Sequence, residues 1–346
     1  MHATTVAIDL AKDVFELAMA DASGRVIRRE RLSRSHFGLF VETLPTCRIV
    51  MEACGGAHHW ARRFQAVGHQ VVLLPGQYVR PYRRRNKTDR ADCLALLEAA
   101  KNREILPVAI KTPQSQAILG LHRVRSQWMA TRTARINALR GLLREYGVSL
   151  PGGAVAGLRV VAAAIDAEAV PPVLRPALHA LLAEIRALEA RILELEQQLE
   201  SLSRQSPAIL RLRKVSGIGL LTSTALVSSA GSADAFRNGR HLASWLGLTP
   251  REYSSGSARR LGSISKRGDV YVRMLLVHGA RAALNRAKQL AKAGHVLTKL
   301  QRWALDLESR AGHNKATVGL ANKLARIAWA CWKFERDFIG DCVRVT

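Results

Sequence analysis

The sequence predicts an α/β domain first, a coiled coil in the middle and a mainly helical domain after it. Short apolar runs rich in valine and isoleucine alternate with helical patterns between residues 4 and 74. Leucine and isoleucine then recur at steps of three and four over residues 178–202. Segments rich in alanine, leucine and arginine fill most of the remainder, including a long basic helix predicted over residues 114–146. Alternating strands and helices are typical of a sheet covered by helices, and the later periodicity is typical of helices that pack together.

Five strands are predicted in the first part of the chain, and their order predicts a mixed sheet. A turn at residues 21–24 joins the second strand to the third, as in a hairpin, whereas helices separate the later strands, as in βαβ units. The predicted strands cover residues 5–10, 14–20, 26–32, 48–52 and 70–74, and the predicted helices cover residues 35–44 and 57–66.

Acidic residues stand at the ends of two predicted strands. Asp9 lies at the end of the first strand, and Glu52 ends the fourth. In open α/β sheets, binding sites form at the carboxyl ends of the strands, so both side chains are candidates for a site at that edge. Asp13 lies a few residues after Asp9 and competes with it for the same role.

Two more acids lie at the predicted start of a helix. Thr88 is a suitable N-cap, which places Asp89 and Asp92 on one face of the first turns. The simpler interpretation is that these acids balance the helix dipole and the neighbouring arginines. With Asp9 and Glu52, however, they make four carboxylates, and oxygen ligands suit two Mg²⁺ ions about 4 Å apart, an arrangement that promotes phosphodiester cleavage.

The charge of the chain points to a polyanionic partner. Its 53 basic and 27 acidic residues give a formal net charge of +26, which favours nucleic acid, with a membrane surface as the rival partner. No apolar run approaches the roughly 20 residues of a spanning helix, and no signal peptide is recognised. The five cysteines form no CxxC pair and no cluster with histidine, so a zinc site is not expected and a reducing cytoplasm fits.

Basic residues in three segments are candidates for phosphate contact. A solvated face is the alternative for the long helix, and a flexible loop is the alternative for the last segment. The candidates are Arg83, Arg84, Arg85, Lys87 and Arg90 around the predicted helix start, Arg132 and Arg135 in the long helix, and Arg259, Arg260, Lys266 and Arg267 in residues 251–269.

The heptad pattern predicts a coiled coil that either joins two protomers or folds back on its own chain. Dimerisation is favoured over an internal hairpin because the apolar seam is long and acids and bases flank it. The seam consists of Leu178, Leu181, Ile185, Leu188, Ile192, Leu195, Leu199 and Leu202. Glycine- and proline-rich stretches at residues 147–157 and 170–176 are predicted linkers. The predicted domains are therefore residues 1–150, 151–205 and 206–346.

Two features of the last domain suit nucleic-acid chemistry. Residues 214–220 resemble a helix-hairpin-helix turn, in which Gly217 and Gly219 let backbone N–H groups approach a phosphate; a plain tight turn is the alternative. Residues 251–269 combine serines, glycines and bases, and a serine hydroxyl among arginines is what covalent phosphoryl transfer needs. Helices are predicted after this loop over residues 271–293 and 318–338.

These motifs together resemble those of one family, the DEDD transposases of the insertion-sequence one-hundred-and-ten family, which includes the Piv-type DNA invertases. The resemblance covers nearly the whole chain and keeps the order of the motifs. The matching segments are Ala7–Lys12 with Asp9, Met51–Gly56 with Glu52, Lys87–Asp92 with Asp89, and the stretch from Ser255 to Asp269.

The resemblance implies an N-terminal RuvC-like (RNase H-like) domain, a coiled coil and a C-terminal transposase domain. It implies that Asp9, Glu52, Asp89 and Asp92 bind Mg²⁺ and that a serine attacks DNA to form a phosphoserine link. It further implies a composite site shared between protomers of a dimer or tetramer, donor and target DNA as partners, and a guiding bridge RNA.

Ser255 matches the serine of the family, and Ser254 and Ser257 are the alternatives. The family often has Ser-Gly-Gly-Lys here, so Ser257 and Ala258 replace its second glycine and lysine, with Arg259 and Arg260 as substitutes for the phosphate contacts. The leading hypothesis is a metal-dependent DNA recombinase. The alternatives are a RuvC-like junction resolvase, a DNA invertase, and a basic nucleic-acid scaffold without catalysis.

Overall fold

The computed structural model describes residues 3–83 and 88–339. These residues fall into two compact units, divided in sequence between Thr112 and Pro113. The predicted boundary at residue 150 assigned the long basic helix to the sheet domain. That helix instead packs within the second unit, because helices that come later in the chain cover its apolar stripe. The division of the chain into three folding domains stays a prediction.

A five-stranded mixed sheet forms the centre of the first unit. The neighbouring strands β1 and β2, and β2 and β3, are antiparallel, whereas β1 and β4, and β4 and β5, are parallel. In the order β3-β2-β1-β4-β5, they are β1 (Thr5–Leu10), β2 (Val14–Ala20), β3 (Val26–Ser33), β4 (Arg48–Glu52) and β5 (Gln70–Leu74). The predicted mixed sheet is confirmed, and its topology is consistent with a RuvC-like domain.

Helices cover both faces of this sheet. They are α1 (Arg34–Thr43), α2 (Ala57–Ala66), α3 (Gly76–Val79) and α4 (Asp89–Ala99). Because side chains alternate along a strand, Ile8 and Met51 pack with the residues of α1 and α2, whereas Ala7 and Val50 pack with those of α4. Asp9 lies two residues after Ala7, and Glu52 two after Val50. Both acids therefore belong to the face of the sheet that α4 covers.

The second unit is mainly helical. Its elements are α5 (Pro113–Glu145), α6 (Ala154–Ile165), α7 (Arg175–Ser203), α8 (Pro207–Arg213), α9 (Leu220–Ala230), α10 (Gly239–Trp245), β6 (Pro250–Glu252), β7 (Leu261–Ile264), α11 (Val270–Lys292), α12 (Lys299–Ala311) and α13 (His313–Lys333). The predicted linker at residues 147–157 is partly wrong: Gly153 is the N-cap of α6, whose Val161 and Ile165 are buried. Helix α12 was not predicted.

The heptad seam of α7 is covered by α5 of the same chain. The two helices run antiparallel, and three ion pairs connect them: Arg125 with Glu196, Arg132 with Glu189, and Arg135 with Glu184. Most seam residues are buried, Ile185 and Leu199 completely. Within one chain the structure has the internal hairpin, the alternative to dimerisation, and dimerisation through this region stays a prediction. A homo-oligomer stays a prediction.

A buried histidine links three helices of the second unit. His122 of α5 lies 2.9 Å from the Thr224 hydroxyl of α9 through Nε2 and 3.0 Å from the Tyr271 hydroxyl of α11 through Nδ1. Burial lowers the pKa of His122 to about 4, and the positive charge of Arg125 acts in the same direction. A neutral imidazole can satisfy both contacts, whereas an imidazolium here loses its hydration.

We expect His122 to make the free energy of unfolding depend on pH. The unfolded chain binds this proton below pH ~6.5, but folded His122 stays neutral down to about pH 4. Between these values the unfolded state binds more protons, so stability falls as the pH falls, by up to about 3 kcal/mol in total. Denaturant unfolding at several pH values measures this. His122→Gln should show a shallower pH dependence, and the exposed-residue control His295→Gln should keep the original one.

No helix in residues 3–83 or 88–339 is long and apolar enough to cross a membrane. In the same ranges, Cys47, Cys54, Cys93 and Cys331 are free thiols.

Candidate active site

Strand register brings two of the predicted acids together. In the parallel pair of β1 and β4, Ile8 is the partner of Met51, so Asp9 and Glu52 follow side by side at the carboxyl ends of their strands. Asp9 therefore occupies the strand end, whereas Asp13 is exposed in the loop before β2. The geometry favours Asp9 over Asp13 as the member of the site.

Helix α4 brings the other two acids to the same face. The Thr88 hydroxyl accepts a hydrogen bond from the Ala91 backbone N–H at 3.2 Å, which confirms the predicted N-cap. Asp89 and Asp92 lie in the first turn of the helix. Because α4 packs across β1 and β2, this turn lies near the carboxyl end of β1.

The four carboxylates interact electrostatically. The pKa of Asp9 is raised to about 6, mainly by burial and also by the negative charges of Asp92, Asp89 and Glu52, against an opposing effect of Arg83. A carboxylate whose pKa is raised in this way lacks compensating positive charge. All four predicted acids therefore contribute to one electronegative site in the first unit, which we call the carboxylate cluster.

Two of the predicted phosphate-binding arginines pair with acids at this site. The Arg83 guanidinium donates a hydrogen bond to the carboxylate of Asp92. Arg90 Nε lies 3.8 Å from Oε1 of Glu16 and is largely exposed. Arg83 is thus engaged with the cluster, while Arg90 stays accessible. Arg84, Arg85 and Lys87 lie outside the described residues.

The carboxylate cluster fits a divalent cation in charge and donor chemistry. Carboxylate oxygens are the ligands that Mg²⁺ prefers, and the raised pKa of Asp9 reports negative charge that a cation would neutralise. Within the two described ranges, however, no three acidic, histidine or cysteine side chains already converge as a closed metal site. The ion pair between Arg83 and Asp92 directs one of the four carboxylates to a guanidinium instead.

Glu16 is an acid near the cluster that the sequence interpretation missed. It is the direct cross-strand partner of Asp9 in the β1–β2 hairpin, so the two side chains share one face of the sheet. Its side chain is only 12% exposed, and the Cys93 thiol of α4 lies 3.2 Å from its backbone carbonyl. The short connection between the first two predicted strands, which suits an antiparallel pair, was the signal that could have identified Glu16.

Gly76 holds space for the Glu52 carboxylate. A Cβ atom at Gly76 would lie 2.2 Å from Oε1 of Glu52 and 2.8 Å from its Cδ. We expect Gly76→Ala to displace this carboxylate. Because Glu52 is a predicted metal ligand, DNA strand cleavage should fall by about 10- to 100-fold, the usual cost of disturbing the support of such a ligand. Cleavage of plasmid DNA with Mg²⁺ measures the effect.

Gly55→Ala is the matched control for Gly76→Ala, since a Cβ atom at Gly55 meets no atom within 4 Å. It should cleave at the unmodified rate. If Gly76→Ala does the same, the position of Glu52 does not limit the reaction.

The predicted phosphate-contacting residues of the two helical segments in the second unit differ in how accessible they are. Arg132 and Arg135 are paired with α7, and Arg132 is largely buried, so these two are the least available for phosphate. Gly217 packs against α11, because a Cβ atom there would lie 3.1 Å from the carbonyl oxygen of Gly279. The tight-turn interpretation accounts for Gly217. Gly219 is exposed at the N-cap of α9.

The serine segment forms a β-hairpin instead of an irregular loop. Strands β6 and β7 pair antiparallel, and farther out Ser255 and Ala258 exchange backbone hydrogen bonds of 3.2 and 3.1 Å. Gly256 and Ser257 are then a two-residue turn, with φ at Gly256 of +57°, a conformation that favours glycine. Ser257 does not share the positive φ, so the second glycine of the family pattern is not required by the backbone here.

The base of this hairpin is fixed by close backbone contacts. A Cβ atom at Gly247 would lie 2.1 Å from the Arg267 carbonyl oxygen, and one at Gly268 would lie 1.8 Å from that of Trp245. The buried Arg273 guanidinium donates to the carbonyl oxygens of Leu246 and Arg267 at 2.9 and 3.0 Å. The hairpin therefore projects an exposed tip from a rigid base.

The three candidate serines differ in their contacts. The Ser254 hydroxyl donates to Glu252 at 2.7 Å and accepts from the Arg260 backbone N–H at 3.2 Å, so it serves the hairpin. Arg259 also pairs with Glu252, at 3.2 Å. Within the described residues, the hydroxyl groups of Ser255 and Ser257 make no hydrogen bond, and both residues are exposed. Arg260, Lys266 and Arg267 are exposed as well.

Comparison with known proteins identifies the class of this protein as that of transposases. Residues 210–295 match the family model described as "Transposase IS116/IS110/IS902 family", and residues 6–148 match the DEDD transposase model of the IS110 type, described as "Transposase". The first match includes the serine hairpin, and the second includes all four acids of the carboxylate cluster.

Full-length relatives agree with these matches. The chain is 40% identical to "Probable family 20 transposase" of Pseudomonas aeruginosa, over 95% of this chain and 97% of that protein. It is 38% identical to the transposase for insertion sequence element IS1111A of Coxiella burnetii, over 93% and 88%, and 34% identical to that for IS1328 of Yersinia enterocolitica, over 95% and 96%. The chain belongs to the IS110 family of transposases, which are enzymes that cut and rejoin DNA.

Proposed function

We propose that this transposase exchanges DNA strands through a covalent phosphoserine intermediate that depends on a divalent cation. The observation that carries the proposal is the electrostatic coupling of Asp9 to Glu52, Asp89 and Asp92. Excess negative charge at a strand end is costly unless a cation binds there, and a cation at a phosphodiester is what strand cleavage requires.

Asp9, Glu52, Asp89 and Asp92 would hold the cation, most suitably Mg²⁺, with room in this ligand set for two ions. When bound, Mg²⁺ supplies charge stabilisation for the oxygens of the phosphate that reacts. Asp9 contributes its charge at a fixed place because β1 holds it, and Glu52 is fixed equally by β4. Arg83, which pairs with Asp92, would contact a phosphate of DNA bound at the cluster.

Ser255 would supply the nucleophile. Its hydroxyl oxygen bonds to phosphorus, the bond from phosphorus to one deoxyribose oxygen breaks, and that oxygen leaves as a hydroxyl after taking up a proton. A hydroxyl of a second DNA strand then attacks the phosphoserine and releases Ser255, so the number of phosphodiester bonds is conserved. Arg260 on the same hairpin and Lys266 just after it are exposed and would contact the phosphate.

The partners in this proposal are donor DNA, target DNA and a structured guide RNA. The net charge of +26 supports nucleic acid as the partner. Membership of the IS110 family is the reason to expect RNA guidance in particular. Assembly as a dimer or tetramer through the coiled-coil region belongs to the same proposal.

The test uses purified full-length protein, supercoiled DNA carrying the ends of the element, and the RNA transcribed beside its gene. We expect a protein–DNA adduct that survives denaturation, forms with Mg²⁺ and is absent with EDTA. Peptide mapping should locate the phosphate on Ser255. Cleavage without any adduct would contradict the proposal and favour a hydrolytic junction resolvase. Adduct formation without RNA would remove the guide from the proposal.

A further inference from the structure

The edge strand β3 carries arginines on both faces of the sheet. Arg29 is the cross-strand partner of Ala18, and Arg31 is the partner of Glu16, so both lie on the face that carries Asp9 and α4. Arg28 is the partner of Met19 and lies on the opposite face. The neighbouring residues Arg28 and Arg29 therefore lie on opposite faces of the sheet.

An open cleft separates β3 from the start of α4. It has a volume of about 370 Å³, and Arg29, Arg31, Thr88, Asp89 and Arg90 are among its lining residues. We call it the β3 cleft. Asp89 belongs to both the carboxylate cluster and the wall of this cleft, so the two features adjoin each other within the first unit.

Two of the three arginines that line the β3 cleft have no acidic partner in the described part of the chain. Arg29 and Arg31 are exposed, and neither forms an ion pair with any residue in the ranges 3–83 and 88–339. Arg90 is 74% exposed and has one long contact, 3.8 Å from Glu16. Glu30 pairs with Arg28. Glu16, Glu30 and Asp89 also line the cleft and balance its formal charge, but none of them lies within ion-pair distance of the guanidinium groups of Arg29 and Arg31. These two groups are therefore available to a phosphate.

We propose that the β3 cleft binds the phosphodiester backbone of a nucleic-acid strand next to the carboxylate cluster. Side chains on one face of a strand repeat every ~7 Å, so Arg29 and Arg31 can each contact a different phosphate. Thr88 and Arg90 add donors from the other wall. The proposal rests on the proposed function, because the carboxylate cluster acts on a strand that this cleft would deliver.

A simpler role for arginines on an edge strand is to prevent pairing with another sheet. That role does not depend on the face to which the side chain points, so it predicts the same effect for substitution of Arg28 and of Arg29. Phosphate binding in the β3 cleft predicts an effect for Arg29 and none for Arg28. The two faces of β3 therefore provide a matched test and control within one strand.

The experiment compares full-length Arg29→Gln/Arg31→Gln with Arg28→Gln, in EDTA so that no cleavage occurs. Binding of a fluorescent single-stranded DNA and of an RNA of the same sequence is measured by anisotropy at several salt concentrations. The double variant should lose about tenfold in affinity, and its slope of log K against log salt should become shallower by about 1.4. Arg28→Gln should keep the salt slope of the unmodified protein, and the slope rather than the affinity is the control, because this variant also leaves Glu30 without its ion pair. Equal slopes for all three proteins would overturn the proposal.

A second measurement locates the strand. Arg31→Cys and Arg28→Cys are each mixed with an oligonucleotide that carries a thiol on one phosphate, with the unmodified protein as background for the partly exposed Cys54. Disulfide formation should be selective for Arg31→Cys. Equal yields at the two positions would again overturn the proposal.

These outcomes are separate from those of the proposed function. A shallower salt slope in the double variant, with no Mg²⁺-dependent adduct in the unmodified protein, supports the cleft and contradicts the phosphoserine mechanism. A normal adduct in the unmodified protein, with unchanged salt slopes in the double variant, supports the phosphoserine mechanism and contradicts binding in the cleft. A larger loss for RNA than for DNA assigns the cleft to RNA, and equal losses show recognition of the shared backbone.

Discussion

Asp9→Asn is expected to lower DNA strand cleavage by about 10³-fold or more while making the folded protein more stable. The amide keeps the shape of the side chain but removes the charge that would bind the cation. In EDTA at neutral pH, it also removes a buried charge that three neighbouring carboxylates repel. The free energy of unfolding should therefore rise, by about 1–3 kcal/mol.

Opposite changes in activity and stability separate a catalytic role from damage to the fold. Asp13→Asn is the matched control, since Asp13 is exposed in the loop that follows β1 and should affect neither property. Adduct formation with Mg²⁺ and urea unfolding in EDTA are the two measurements. Cleavage at the unmodified rate by Asp9→Asn would exclude the carboxylate cluster from the chemistry.

Ser255→Ala is expected to lower the rate of covalent adduct formation by about 10⁴-fold or more, with DNA affinity unchanged. The variant removes the nucleophilic oxygen, whereas the backbone hydrogen bonds between Ser255 and Ala258 that shape the hairpin remain. Denaturing gels of Mg²⁺ reactions measure the adduct, and anisotropy measures binding.

Two neighbouring serines test whether the loss is specific to one hydroxyl. Ser257→Ala should retain the adduct, because Ser257 is on the other side of Gly256 in the turn. Ser254→Ala should lower the rate modestly, because it removes the hydrogen bond to Glu252 that stiffens the hairpin. An adduct in Ser255→Ala that disappears in Ser254→Ala would transfer the role of nucleophile to Ser254.

The sheet and the acids at its edge could be predicted from sequence because both depend on local signals. Val6 and Ile8 alternate with residues of the other face, and Asp9 follows them at the strand end, where parallel strands form sites. Thr88 signals a helix start without any knowledge of the tertiary fold, and the structure confirms that signal. Local signals thus placed all four acids on elements that meet.

The sequence could not decide the points that depend on which partner a surface finds. The heptad pattern of α7 specifies an apolar seam but not whether α5 or another protomer covers it. The sequence shows that Arg132 is a charged residue of a basic helix. Its pairing with Glu189 could not be predicted, because it depends on the register of two helices that are far apart in sequence. Glu16 and Arg83 are similar cases, because their neighbours follow from cross-strand register and from the path of the chain before α4.

The contact between Gly247 and Arg267 makes the serine hairpin a segment whose two ends touch each other. The two ends of residues 247–268 meet at the hairpin base, so the helices on either side do not depend on its length. Lengthening such a loop costs little, since the entropy of closure grows only with the logarithm of its length. Evolution can therefore add or remove residues at the tip, and so alter the reach of the serine, without rebuilding the helical core.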